Sequence, residues 1–236
     1  MNYVTGDIHG RKDIWINKIE PVLKDSDRII VCGDFGIGFF SDEELFFDYI
    51  SEQKYTVLFV DGNHENFDKL RNSYPVALWN GGRVHKIRPN LIHLMRGEVY
   101  MIDGKLLFAF GGGYSIDKAC REKDISWWQE EMPSEKEYDN AKLNLEKADY
   151  KVDYIITHTA PSETISYLST MRECERKNNP PQESPLNVFF DYIEENVTYR
   201  HWFFGHFHED IQLWRRQTVI YNTIRELESG RKIHIK

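Results

Sequence analysis

Apolar and polar positions follow two rhythms along this chain, and the rhythms predict its elements. "RIIVC" (28–32) and "YTVLFV" (55–60) are runs of β-branched, aliphatic and aromatic residues, each closed by a glycine-containing turn. They read as buried strands. Between them "SDEELFFDYISEQ" has helical spacing, with Ser41 three residues before Glu44 as a capping box. Upstream, "DIWINKIEPVLK" sets Trp15, Ile16, Ile19, Val22 and Leu23 on one helical face. This strand–helix–strand order predicts parallel strands with crossover helices. The middle changes character: "VHKI", "NLIHLM", "EVYMI" and "KLLFAFGGG" are closely spaced and predict an antiparallel meander. A polar stretch from about Asp117 to Asp149 reads as helical, with a second capping box from Ser134 to Glu137. "VDYIITH" (152–158) returns to a buried strand, and 162–185, with "NNPPQESP", reads as an irregular insertion. A helix at 186–196, the strand "HWFFGH" and three short strands close the chain. The expected fold is α/β: a two-sheet mixed β-sandwich flanked by helices. We expect one domain over 1–236, with insertions at about 117–150 and 162–185 on a substrate rim.

Composition narrows the function. The chain has 236 residues, 41% of them hydrophobic, which is enough for one packed core. A formal charge of −8 weighs against a partner held mainly through nucleic-acid phosphates. Cys32, Cys120 and Cys174 are few, odd in number and far apart. A disulfide framework or zinc ribbon is not expected, and a reducing cytoplasm suits them. No run of apolar residues is long enough for a membrane span or suited to a signal peptide.

The polar residues fall where each buried strand ends. "YVTGDIHG" delivers Asp7 and His9, "IIVCGDFG" delivers Asp34, and "VLFVDGNHE" delivers Asn63 and His64. "DYIITHTAP" delivers His158, and "HWFFGHFH" delivers His206 and His208. Ligands of open α/β sheets bind at the carboxyl ends of strands. Carboxylate, amide and imidazole donors without thiolate suit divalent metals such as manganese, iron, cobalt, nickel or zinc. Two carboxylates, one amide oxygen and four of these imidazoles make seven donors, too many for one tetrahedral ion, and suit two ions sharing a carboxylate.

The ordered blocks "GDIHG" (6–10), "GDFG" (33–36), "GNHE" (62–65), "TH" (157–158) and "GHFH" (205–208) resemble those of the calcineurin-like metallophosphoesterase superfamily. The resemblance covers nearly the whole chain. It implies a four-layer αββα fold and a site for two divalent metal ions, manganese foremost. It implies Asp7, His9 and His208 on one ion, Asn63, His158 and His206 on the other, and Asp34 between them. It leaves His64 off the metals, facing a small phosphorylated substrate and assisting the leaving group.

The chain departs from part of that superfamily. "GDFGIG" lacks the "GDxVDRG" continuation of the protein phosphatases, whose extra Asp and Arg support the histidine and bind phosphate. A basic residue must come from elsewhere. Arg121, in "GGGYSIDKACR", is the first candidate, with a salt bridge to Asp117 or Asp124 as the alternative; Arg83 is a weaker one. Trp127 and Trp128 suit either a stacking platform or packing of the insertion. Glu65 suits either orientation of a ligand or an ordinary salt bridge. His85, His93, His201 and His234 fall outside every block and read as surface or core residues. A phosphodiesterase or nuclease, and a silent scaffold of the same fold, remain as alternative readings.

Overall fold

The computed structural model describes residues 1–171, 182–214 and 216–234. In the first half run β1 (Asn2–Thr5), α1 (Lys12–Ile14), β2 (Arg28–Val31), α2 (Glu43–Ser51), β3 (Thr56–Phe59) and α3 (Phe67–Asn72). Then come β4 (Val76–Trp79), β5 (Gly82–Arg88), β6 (Leu91–Leu94), β7 (Glu98–Ile102) and β8 (Lys105–Phe110). The second half holds α4 (Glu135–Lys147), β9 (Tyr154–Thr157), α5 (Ser162–Met171), α6 (Ser184–Asn196) and β10 (His201–Phe204). It ends with β11 (Ile211–Gln212), β12 (Gln217–Val219), β13 (Ile224–Glu226) and β14 (Lys232–Ile233).

The strands form two mixed sheets. One has the order β14-β13-β1-β2-β3-β6-β5-β4, the other β11-β12-β10-β9-β8-β7. β1, β2, β3 and β6 are parallel, as are β8, β9, β10 and β12. Alternate side chains feed separate cores because strand side chains alternate faces. Ile29 and Val31 join Trp15, Phe46 and Phe47 under α2, while Ile30 packs between the sheets. Trp202 and Phe204 join Phe190 and Leu145 under α4 and α6, while Phe203 packs between the sheets. The result is the expected α/β sandwich of helix, sheet, sheet and helix layers.

Several local expectations are corrected. The meander is split: β5 and β6 pair in the first sheet, β7 and β8 in the second. The chain changes sheets near Gly97, at φ +75°, where an added Cβ would meet the Ala141 backbone. α1 passes through a π turn at Trp15–Ile19 into a 3-10 turn at Glu20–Val22. This rotates Ile16 outward to 37% exposure. The Ser41–Glu44 box does not form: α2 begins at Glu43, and Glu44 accepts from Lys69 and Arg88 instead. The Ser134–Glu137 box does form, with Glu137 accepting from the Ser134 backbone N–H at 2.7 Å. Within 117–149 only α4 is a full helix, preceded by 3-10 turns at Lys118–Cys120 and Gln129–Glu131. The 162–185 segment carries a helix, α5, that the Pro-rich tail of the insertion obscured. Cys174 and the "NNPP" of "NNPPQESP" lie outside the described residues.

Candidate metal centre

The carboxyl ends of β1, β2, β3, β9 and β10 meet at one edge of the sandwich, where the two sheets are tied to each other. His158 Nδ1, after β9, faces the Cys32 carbonyl after β2 at 2.9 Å, and the Gly205 N–H donates to the His158 carbonyl at 3.0 Å. With Nδ1 donating to that carbonyl, His158 turns Nε2 into the site.

The donor atoms converge in two sets. Around His158 Nε2 stand Asn63 Oδ1 at 3.1 Å, His206 Nδ1 at 3.2 Å and Asp34 Oδ1 at 3.4 Å. In the other set His9 Nε2 and His208 Nε2 are 3.3 Å apart. His9 Nε2 is 3.8 Å from Asp34 Oδ2, and His208 Nε2 is 3.8 Å from Asp7 Oδ2. Asp34 thus turns one oxygen to each set. Asp7 Oδ2 is buried without a hydrogen-bond partner, which is costly for a carboxylate oxygen lacking a cation. Asp7, His9 and His208 could hold a metal ion, as could Asp7, Asp34 and His158. These residues fit divalent cations: they offer nitrogen and oxygen donors and a buried carboxylate oxygen with no hydrogen-bond partner.

The backbone reaches this arrangement by unusual torsions. His9 (φ 51°), Asp34 (φ 50°), His206 (φ 66°) and His208 (φ 53°) all lie in the left-handed region. Such conformations cost roughly 1–3 kcal/mol each and persist where surroundings over-determine them. Asp34 O accepts from the Ile8 and His9 N–H groups, Asp7 Oδ1 from His206 N–H, and Asp34 Oδ1 from His64 N–H. Gly33 has φ +91°, and a Cβ there would collide with the His158 ring. A Cβ on Gly205 would meet Asp7 Oδ1.

Further residues hold the donors in place. Glu65, at 0% exposure, makes no salt bridge among the described residues. Its carboxylate accepts from the N–H groups of Phe35, Gly36 and Ile37 and so shapes the turn after Asp34. Asn63 Nδ2 donates to Ser115 Oγ at 3.0 Å, which leaves its oxygen facing His158. Asp210 accepts from the N–H groups of Tyr221, Asn222 and Thr223, and Tyr221 stacks on His208 at 4.4 Å. Ser115, Asp210, Tyr221 and the buried Glu183 were missed in the sequence. Only the "D" of "GHFHED" lay beside a recognised block.

Electrostatics follow from burial and crowding. Burial, reinforced by Asp34, pushes the Asp7 carboxyl up to about 7 against the pull of His158. Burial would raise Asp34 too, but His158, His64 and His9 hold it well below the usual carboxylate range. Burial disfavours charge on His158, yet Asp34 and Asp7 together raise it to about 10. In the metal-free chain the pocket therefore holds its negative charge against protons. Metal ligands must shed such protons, so cation binding and proton release are coupled here.

The rim carries the remaining candidates. His64 lies 5.1 Å ring to ring from His9, and His9, Asp34 and His64 form a third group that could hold a metal ion. Arg121 Nη2 stands 2.8 Å from His64 Nδ1 and 3.2 Å from Nε2, which disfavours a cation on that ring. Burial, with Arg121, lowers the His64 pKa despite Asp34. Arg121 also donates to Asp117 at 2.8 Å, so it makes the expected salt bridge and still reaches the site. Arg83 does not; it is bound to Glu98 on β7. Trp128 is buried and donates to Asp68, which makes it a packing residue. Trp127 lies under Lys118 Nζ at 4.5 Å. Phe39, 38% exposed, stands edge-on to both His64 and Trp128. Of the other histidines, His85, His93 and His201 are buried.

Residues 3–210 match the calcineurin-like phosphoesterase family. The chain belongs to that family. A search of curated proteins found no match. Family membership and the donor cluster together support a metal-dependent phosphoesterase. Among the described residues no helix is long and apolar enough to cross a membrane.

Proposed function

We propose that this phosphoesterase uses two divalent cations, one on Asp7, His9 and His208, the other on Asn63, His158 and His206, with Asp34 bridging. The observation that carries this reading is the division of Asp34, Oδ1 toward His158 and Oδ2 toward His9. Bound cations would supply a nucleophile from water at neutral pH and Lewis-acid binding of phosphate oxygens. Manganese is the first choice, and iron, zinc, cobalt or nickel suit the same donors.

The chain's own residues then do three things. The buried carboxylates and the imidazoles around them fix the cations' positions. His64, placed above this floor, hydrogen-bonds or protonates the leaving oxygen, a contribution typically of ~10²–10⁴-fold. Arg121 spends donors on Asp117, Ser126 and His64, and a guanidinium has five. Its remaining donors bind a phosphate oxygen of the substrate. In this reading one domain carries the chemistry, and the segments 117–150 and 162–185 form the rim around a small phosphorylated substrate. The net charge of −8 makes a nucleic-acid polymer the less favoured substrate. Three scattered cysteines suit work in the cytoplasm.

The test is hydrolysis of p-nitrophenyl phosphate and bis-p-nitrophenyl phosphate by metal-stripped protein resupplied with manganese. Manganese-dependent turnover is expected, and the ratio of the two rates separates monoesterase from diesterase. Absence of turnover with every divalent metal, joined to binding of fewer than two ions per chain, favours a silent scaffold.

A further inference from the structure

Glu183 is 1% exposed and lies outside every sequence block, in the segment read as rim. It immediately precedes α6, whose first turn is tied to it by Leu186 and Asn187 N–H groups donating to its carbonyl. Its side chain turns inward. Oε1 accepts from the Tyr114 N–H at 2.9 Å, and Oε2 accepts from the Thr159 hydroxyl at 3.3 Å. Oε1 also faces His206 Nε2 at 3.4 Å. The opposite nitrogen of that ring, Nδ1, points at His158 Nε2. A buried carboxylate is expensive unless it is matched by donors or charge, and these neutral donors do not supply the charge.

We propose that Glu183 is a positioning residue for His206, accepting a hydrogen bond from its Nε2–H so that Nδ1 presents its lone pair to the cation held with Asn63 and His158. This rests on the two-cation reading above and adds a member to it. A carboxylate behind a ligand imidazole fixes the tautomer, holds the ring plane and raises the basicity of the ligating nitrogen. The same residue anchors the Gly-rich 111–113 turn through Tyr114 and the exit of β9 through Thr159. One side chain thereby joins three segments around the second donor set.

The experiment compares wild-type protein with Glu183→Gln and Glu183→Asp, using manganese as the probe. Glu183→Gln keeps shape and removes charge. Its affinity for one of two manganese ions should fall by roughly 10–100-fold while the other ion binds as before, with Glu183→Asp partly restoring the loss. A second readout needs no metal: long-range ¹⁵N correlation spectra of the stripped protein should show His206 protonated at Nε2 in wild type and a tautomer mixture in Glu183→Gln. Matched circular dichroism checks that the variants fold. Unchanged manganese affinity with an unchanged His206 tautomer would overturn the assignment. If wild type binds only one manganese, the two-cation reading fails, while the tautomer spectra still decide the role of Glu183.

Discussion

The floor of the site and its rim are built in different ways. The floor donors follow the ends of five strands, are mostly buried, and are aimed by left-handed backbone at His9, Asp34, His206 and His208. On the rim side, the segment from 113 to 131, ahead of α4, has only two three-residue 3-10 turns and exposes Ile116 and Ile125. Its hold on the floor includes two side-chain contacts, Ser115 to Asn63 and Arg121 to His64, while Lys118 to Glu131 braces the segment itself. The difference separates roles. The floor sets where charge and donors stand. In the proposed reading, the rim sets what can approach them.

Substitutions should break this division in a graded way. The largest effect is expected from Asp34→Asn, which removes the shared charge. The loss of turnover should exceed the ~10–100-fold that removal of a supporting partner costs, because a donor itself is lost. Manganese titration should show fewer than two ions bound. His64→Ala should retain both ions yet lose ~10²–10⁴-fold in kcat, most for substrates with poor leaving groups. A leaving-group series measures this directly, and equal losses across the series would contradict the assigned role.

Gly33→Ala tests the floor's backbone. The left-handed torsion alone costs roughly 1–2 kcal/mol for a residue with Cβ, and the collision with His158 adds to it. Both melting temperature and metal affinity should drop. Arg121→Ala tests the rim. Loss of a charge-assisted contact worth about 1.5–3 kcal/mol should lower kcat/KM by roughly 10–100-fold and leave metal binding intact. Loss of metal in this variant would show that rim and floor are not separable.

The smallest effect concerns pH and lies in the core. Burial lowers the pKa of His201 to about 4 and that of His85, beside His93, to about 3. Unfolded, both titrate near 6.5. Between pH 6.5 and 4 the unfolded chain therefore binds more protons than the folded one, and stability rises with pH across that window. These two histidines should lower the urea midpoint of the metal-free protein from pH 7 to pH 4.5, against an opposite contribution from Asp7, whose folded carboxyl is raised to about 7. His201→Gln, which can still face Thr218, should flatten part of that slope.

How much of this was legible in the sequence follows the same division. Asp7, Asp34, Asn63, His158 and His206 could be placed because parallel strands end on one edge, so a polar residue just after an apolar run has a fixed destination. The fold layers were legible for the same reason. Arg121 was nominated on local cues, but its reach to His64 depends on an irregular segment that no periodicity describes. Glu183 was not legible at all. Its neighbours are polar and Pro-rich, and only the tertiary packing of α6 turns it inward. The sheet change at Gly97 was hidden because a hairpin reads the same whichever sheet it joins.

The most direct test of the central claim is an anomalous-diffraction map from crystals grown with manganese. The account predicts two peaks per chain, one beside Asp7, His9 and His208 and one beside Asn63, His158 and His206, with Asp34 contacting both through different oxygens. A single peak, or two peaks of which only one touches Asp34, would contradict it.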